Sequence, residues 1–101
     1  MILARQVFKV KFGHMDKVLA VLKAAAESGQ ATSGISRVLT DITGDNFTLV
    51  FETKIESMDD YWNGLRQSFA DAEMNEQFDV LNQYMESGHR EFYTIEYEFE
   101  G

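Results

Sequence analysis

A repeated switch of hydrophobic period constrains this chain more than any other feature. Phe8, Val10 and Phe12 alternate with Lys9 and Lys11, the period of a half-buried strand, so residues 3–12 are predicted to be extended. Gly13 breaks the run. From 14 to 28 the apolar residues Met15, Val18, Leu19, Leu22, Ala25 and Ala26 recur at helical spacing, with Asp16 in the first turn where a negative charge suits the dipole. Residues 29–34 (GQATSG) read as a loop and 35–43 as a second strand. Gly44-Asp45-Asn46 then signals a hairpin, because these residue types tolerate positive φ. In 47–55, Phe47, Leu49, Phe51 and Ile55 make the third strand. Ser57 is a helix cap with Asp59 and Asp60 behind it, and a helical region runs to about Ser87. Its apolar stripe loses register in the middle, so 57–87 is either one bent helix or two. Gly88 suits the position after a helix end. In the last strand, 89–99, Tyr93, Ile95, Tyr97 and Phe99 share a face.

Strand, helix, strand, strand, helix, strand is the split βαβ order of the ferredoxin-like plait, an α+β fold. It predicts a four-stranded antiparallel sheet ordered 4-1-3-2. Right-handed crossovers put both helices on one face of it. At 101 residues the chain has room for one domain, 1–101. With no cysteine, thiolate catalysis and thiolate metal sites are excluded, and no metal or cofactor is expected. A net charge of -8, with basic residues scattered along the chain, argues against nucleic acid as a partner. No apolar stretch approaches the roughly 20 residues that span a bilayer, and the first residues do not read as a signal peptide. The expected setting is cytoplasmic, with no membrane partner. No phosphate-binding glycine loop or nucleophile elbow is present.

Three segments carry a resemblance. They are Gly13-His14 at the turn into a helix, SMDDYWNGLRQSF at 57–69, and YMESGHREFYTIEYE at 84–98. With the element order, they resemble the dimeric α/β-barrel superfamily, nearest to small uncharacterised NIPSNAP-like and antibiotic-biosynthesis-monooxygenase-like proteins. The resemblance implies a homodimer in which two sheets pair as a barrel. It also implies cofactor-independent oxygenation or isomerisation of a small apolar or aromatic substrate. Members that bind or degrade haem make a further alternative, as does a non-enzymatic ligand-binding, structural or regulatory homodimer. The residues by themselves leave the sheet's second face open: Val7, Val50 and Phe92 are mixed there with Arg5, Lys9, Glu52, Glu96 and Glu98. Such a face is either the interior of a two-copy assembly or solvated surface.

His14 and His89 are the two histidines, both at element boundaries, and either could act as a general base near neutral pH. Each could equally be solvated. His89 and Glu91, two apart on a strand, are expected to point the same way. Tyr61, Trp62, Phe69, Phe78 and Tyr84 on the second helical region, facing Phe8, Phe12, Phe51 and Tyr93, either line a cleft for a flat apolar ligand or pack as core. Of the adjacent Tyr61 and Trp62, one points inward and the other sits at the rim or at a subunit contact. Arg66 either anchors a ligand's anionic group or pairs on the helix surface with Asp59 or Asp60.

Overall fold

The structure is a computed structural model and describes residues 1–27 and 35–99; the loop expected at 29–34 lies outside them. Seven elements follow in the order β1 (Ile2–Val10), α1 (Met15–Glu27), β2 (Ile35–Thr40), β3 (Thr48–Ile55), α2 (Met58–Ala70), α3 (Ala72–Asn82) and β4 (Met85–Thr94). The sheet is antiparallel and ordered β2-β3-β1-β4, as the plait requires.

Each helix starts where its local chemistry directs. Gly13 turns the chain at φ 80°, and the His14 carbonyl accepts the first helical bond, from Val18 N, at 3.2 Å. Ser57 Oγ accepts from Asp60 N at 3.2 Å, the cap that the sequence implied. The helical region is two helices broken at Asp71. The Asp71 carbonyl opens α3 by accepting from Asn75 N, while the Asn75 amide donates to the Phe69 carbonyl at 2.8 Å and satisfies the end of α2.

The turn between β2 and β3 is longer than a two-residue hairpin. Asp41 and Thr48 close it, with Asp41 Oδ1 accepting from Thr48 N at 2.9 Å. Positive φ falls at Gly44 and at Phe47 rather than at Asp45 or Asn46. Phe47 is held there by its carbonyl, which accepts from Val10 N at 2.8 Å, and by the edge of Phe12 against its ring.

Beneath the helices, Val10, Leu49 and Phe51 from the sheet meet Val18 of α1 and Leu81 of α3 in a buried cluster. The strand register sorts the two faces. Ala4, Gln6, Phe8 and Val10 turn toward the helices with Leu49 and Phe51, while Leu3, Arg5, Val7 and Lys9 turn away with Val50 and Glu52. β4 starts earlier than its sequence suggests. It pairs Val10 with Met85, skips a residue, and then pairs Lys9 with Ser87. Gly88 is therefore no helix terminator; it lies inside the strand opposite Phe8. The same shift puts Phe92 on the helix side and Tyr93 on the open side. Residues 95–99 run beyond the strand, with Tyr97 and Phe99 exposed.

The expected barrel is not formed. The sheet is open, with β2 and β4 as its outer strands, whereas closure would require the outer strands to pair. The open face is also not an apolar surface awaiting a second sheet. A chain of ion pairs crosses all four strands there: Arg37 to Glu52, Glu52 to Arg5, Arg5 to Glu91, and Glu91 to His89. Glu52 is only 4% exposed, so this face meets the charge requirements of its most buried carboxylate within one chain.

Candidate functional site

A cavity of about 460 Å³ lies between the helix side of the sheet and α2 and α3. That volume is in the range of small-molecule sites. Phe8, Phe51, Ile55, Leu65, Phe78 and Met85 give it a mostly apolar wall. Gln6 and Tyr61 interrupt that wall: Gln6 Nε2 donates to Tyr61 Oη at 3.2 Å. The two side chains have three hydrogen-bond hydrogens between them and use one in this contact. Whichever way the amide is turned, two remain for a ligand acceptor. Tyr61 is fixed from behind by the edge of Phe92, with ring centroids 5.1 Å apart. Asp60 and Asp71 lie on the α2 side of the cavity.

The structure brings together some of the expected residues and separates others. Phe51, Tyr61 and Phe78 line the cavity. Trp62 packs edge-on against Tyr61 at 5.3 Å and is partly exposed, the rim position expected for one member of that pair. Phe69 is exposed, and Phe12, past the end of β1, is 80% exposed and packs on Phe47. Arg66 donates to Asn63 Oδ1 at 3.1 Å on the helix surface, not to Asp59 or Asp60. Tyr93 lies on the open face and donates to Glu91 Oε1. Tyr84 stacks on His14 with ring centroids 5.2 Å apart, and Lys17 Nζ sits over the same tyrosine ring.

Neither histidine lines the cavity. His14 is half-buried against Tyr84, with its Nδ1 enclosed and without a hydrogen-bond partner. His89 is on the opposite side of the sheet, its Nε2 3.1 Å from Glu91 Oε2, so the expected His89–Glu91 pair is present. The cavity thus offers a haem no imidazole, and its residues do not fit histidine-ligated haem. Among the described residues, no group of three or more metal-ligating side chains gathers. No helix among them is long and apolar enough to cross a membrane.

Gln6, Asp60 and Met85 are cavity residues that the sequence reading missed. A signal for Gln6 was present: it is the polar residue in the inward series Ala4, Gln6, Phe8, Val10. Met85 was hidden by its fit to the helical stripe.

Hydrogen bonds from His89 and then Tyr93 hold the Glu91 carboxyl below its ordinary 4.5; partial desolvation opposes them, and the charges of Arg5 and His89 assist. A carboxyl lowered in the folded state stabilises the fold above its unfolded pKa. That contribution disappears as pH falls from there through the lower folded value. The gap in urea midpoint between the native chain and Glu91→Gln is therefore expected to be open at neutral pH and to close as pH falls below the ordinary carboxyl value of 4.5 and through the lower folded one. A gap that stays constant over that range would show that the network does not act through the carboxylate's charge.

No protein-family model and no curated protein matches the sequence. Solved structures do match the fold. A NIPSNAP family protein of Agrobacterium tumefaciens superposes with a TM-score of 0.83 at 15% identity, over 92% of this chain and 90% of that one. An uncharacterised NIPSNAP-like domain protein of Burkholderia xenovorans gives 0.85 at 11% identity, over 98% and 89%. An antibiotic biosynthesis monooxygenase gives 0.62 at 12% identity, over 93% and 97%. At such identities the likeness is one of backbone architecture, and the chain shares with these proteins the fold of the NIPSNAP and antibiotic-biosynthesis-monooxygenase group.

Proposed function

We propose that this chain binds a small, largely apolar, ring-containing molecule in the cavity between the sheet and α2–α3. The observation that carries this reading is the Gln6–Tyr61 pair set among the apolar side chains of a cavity of ligand-sized volume, with Asp60 and Asp71 on its α2 side. Apolar walls supply affinity, and a few convergent polar groups fix orientation.

Gly64 provides the test. It borders the cavity, and a Cβ built there meets nothing within 4 Å. Gly64→Phe therefore adds a ring at a cavity-lining position whose Cβ has room, and the helix gains a few tenths of a kcal/mol, because phenylalanine is a better helix former than glycine but a poorer one than alanine. The native chain is expected to bind 2-naphthamide saturably by calorimetry, and Gly64→Phe is expected to lose about tenfold or more in affinity while remaining folded. Equal affinity in both proteins would refute the cavity as the binding site. Native mass spectrometry of the purified protein supplies an independent reading, as a small adduct lost on denaturation. The same spectrum reports whether two copies associate.

The shared fold with an antibiotic biosynthesis monooxygenase supports a second reading, in which the bound ring is oxidised by dioxygen. An activated methylene would lose a proton to a cavity carboxylate, Asp60 or Asp71, and the carbanion would react with dioxygen. One oxygen atom would become the new carbonyl and the other would leave as water, with all four electrons coming from the substrate. Dioxygen uptake with anthrone, abolished when Asp60→Asn and Asp71→Asn are combined, is the result that supports it. No uptake above the rate without protein leaves binding as the whole function.

A further inference from the structure

The guanidinium groups of this chain are not equally occupied. Arg5 and Arg37 bind Glu52 and Glu91, and Arg66 is bonded to Asn63. The Arg90 guanidinium makes no hydrogen bond or ion pair among the described residues. Its position is specific. It pairs across the sheet with Gln6, on the helix side, two residues beyond Gly88. Cross-strand partners hold their Cβ atoms about 5 Å apart. A second hollow, bounded by Gln6, Phe8, Gly88, His89 and Arg90, adjoins the cavity and shares Gln6 and Phe8 with it.

Charge gives the arrangement a direction. Asp60 and Asp71 stand on the α2 side of the cavity, in a chain of net charge -8. An anionic ligand would be repelled from that side and drawn toward the unpaired guanidinium beyond Gln6. A guanidinium fork matches a carboxylate through two parallel hydrogen bonds, and the spare hydrogens of the Gln6–Tyr61 pair are donors to the same group.

We propose that the ligand of the cavity is a monocarboxylate: an apolar ring lying against Phe8, with its carboxylate held by Arg90 beside Gln6. This rests on the cavity reading above and adds the ligand's charge and orientation.

The test compares 2-naphthoate with 2-naphthamide, which share a ring and differ in charge. The native chain is expected to bind naphthoate about tenfold more tightly. Arg90→Gln is expected to remove that preference and leave naphthamide binding unchanged, while Arg90→Lys keeps part of it. Added salt is expected to weaken naphthoate alone. Arg90 is exposed and unpaired, so neither variant disturbs a native contact. Equal binding of the two probes by the native chain would overturn the carboxylate proposal and leave the cavity reading standing. So would a preference that survives Arg90→Gln. Failure of both probes to bind would overturn the cavity reading and this proposal with it.

Discussion

Gly88→Val is expected to destabilise the fold by about 1–3 kcal/mol, although valine is a good strand residue and glycine a poor one. A Cβ at position 88 would lie 2.7 Å from Phe8 Cδ1 and 3.0 Å from Cε1, with the Val7 carbonyl oxygen at 3.4 Å. The intrinsic strand gain is at most about 1 kcal/mol. The overlap cannot be relieved cheaply, because Phe8 is packed edge-on against Phe51 at 5.6 Å and beside the buried cluster. Chemical denaturation checks the sign, and a double-mutant cycle checks the cause. Phe8→Leu is expected to cost less in the Gly88→Val background than in the native chain, because the shorter side chain gives up the clash. A stabilised Gly88→Val protein, or strict additivity, would mean that Phe8 does not need the glycine.

Glu52→Ala carries the second large effect, a loss of about 2 kcal/mol. Glu52 is nearly inaccessible, yet it sits between two arginines: Oε2 is 3.3 Å from Arg5 Nε, and Oε1 accepts from Arg37 Nε at 2.7 Å. Arg5 Nε is itself enclosed; the carboxylate is its charge partner, although the contact lacks hydrogen-bond alignment. Removing one member of a buried pair costs roughly 3–5 kcal/mol when the other is left without solvent. Here both arginines are partly exposed, which reduces the figure. Glu52→Gln keeps an acceptor for Arg37 and loses the charge, so it is expected to fall between the native chain and Glu52→Ala. If Glu52→Ala leaves the urea midpoint unchanged, the chain of ion pairs across the open face contributes nothing to stability.

Local chemistry made much of the fold legible. The switches of period at Gly13 and Ser57, the Ser57 cap and the order of strands and helical regions all appear in the structure, with the second helical region divided into α2 and α3, as does the 4-1-3-2 sheet. Inward positions on β1 and β3 were also readable, since Phe8, Val10, Leu49 and Phe51 follow a strict alternation. The site was legible only in part. Phe51, Tyr61 and Phe78 were expected in a cleft and line one, but Phe12, Phe69, Tyr84 and Tyr93 were grouped with them on aromatic character alone. Aromatic character does not say which way a side chain points.

What the sequence determined by itself is the set of elements, because caps, turns and periodicity are interactions within a few residues of chain. Tertiary structure decided the register of β4. Tyr84 and Met85 suit a helical stripe as well as a strand. The chain leaves α3 at Asn82 because Lys11 N donates to the Tyr84 carbonyl at 2.7 Å and Met85 pairs with Val10, more than 70 residues away. That pairing, with one residue skipped before Ser87, inverts the expected faces of the strand. It carries Tyr93 to the ion-pair face and sets Gly88 under Phe8. It also brings Arg90 beside Gln6 at the edge of the cavity. A one-residue change of register moves every side chain of a strand to the other face, and only the distant partner strand could choose between the two.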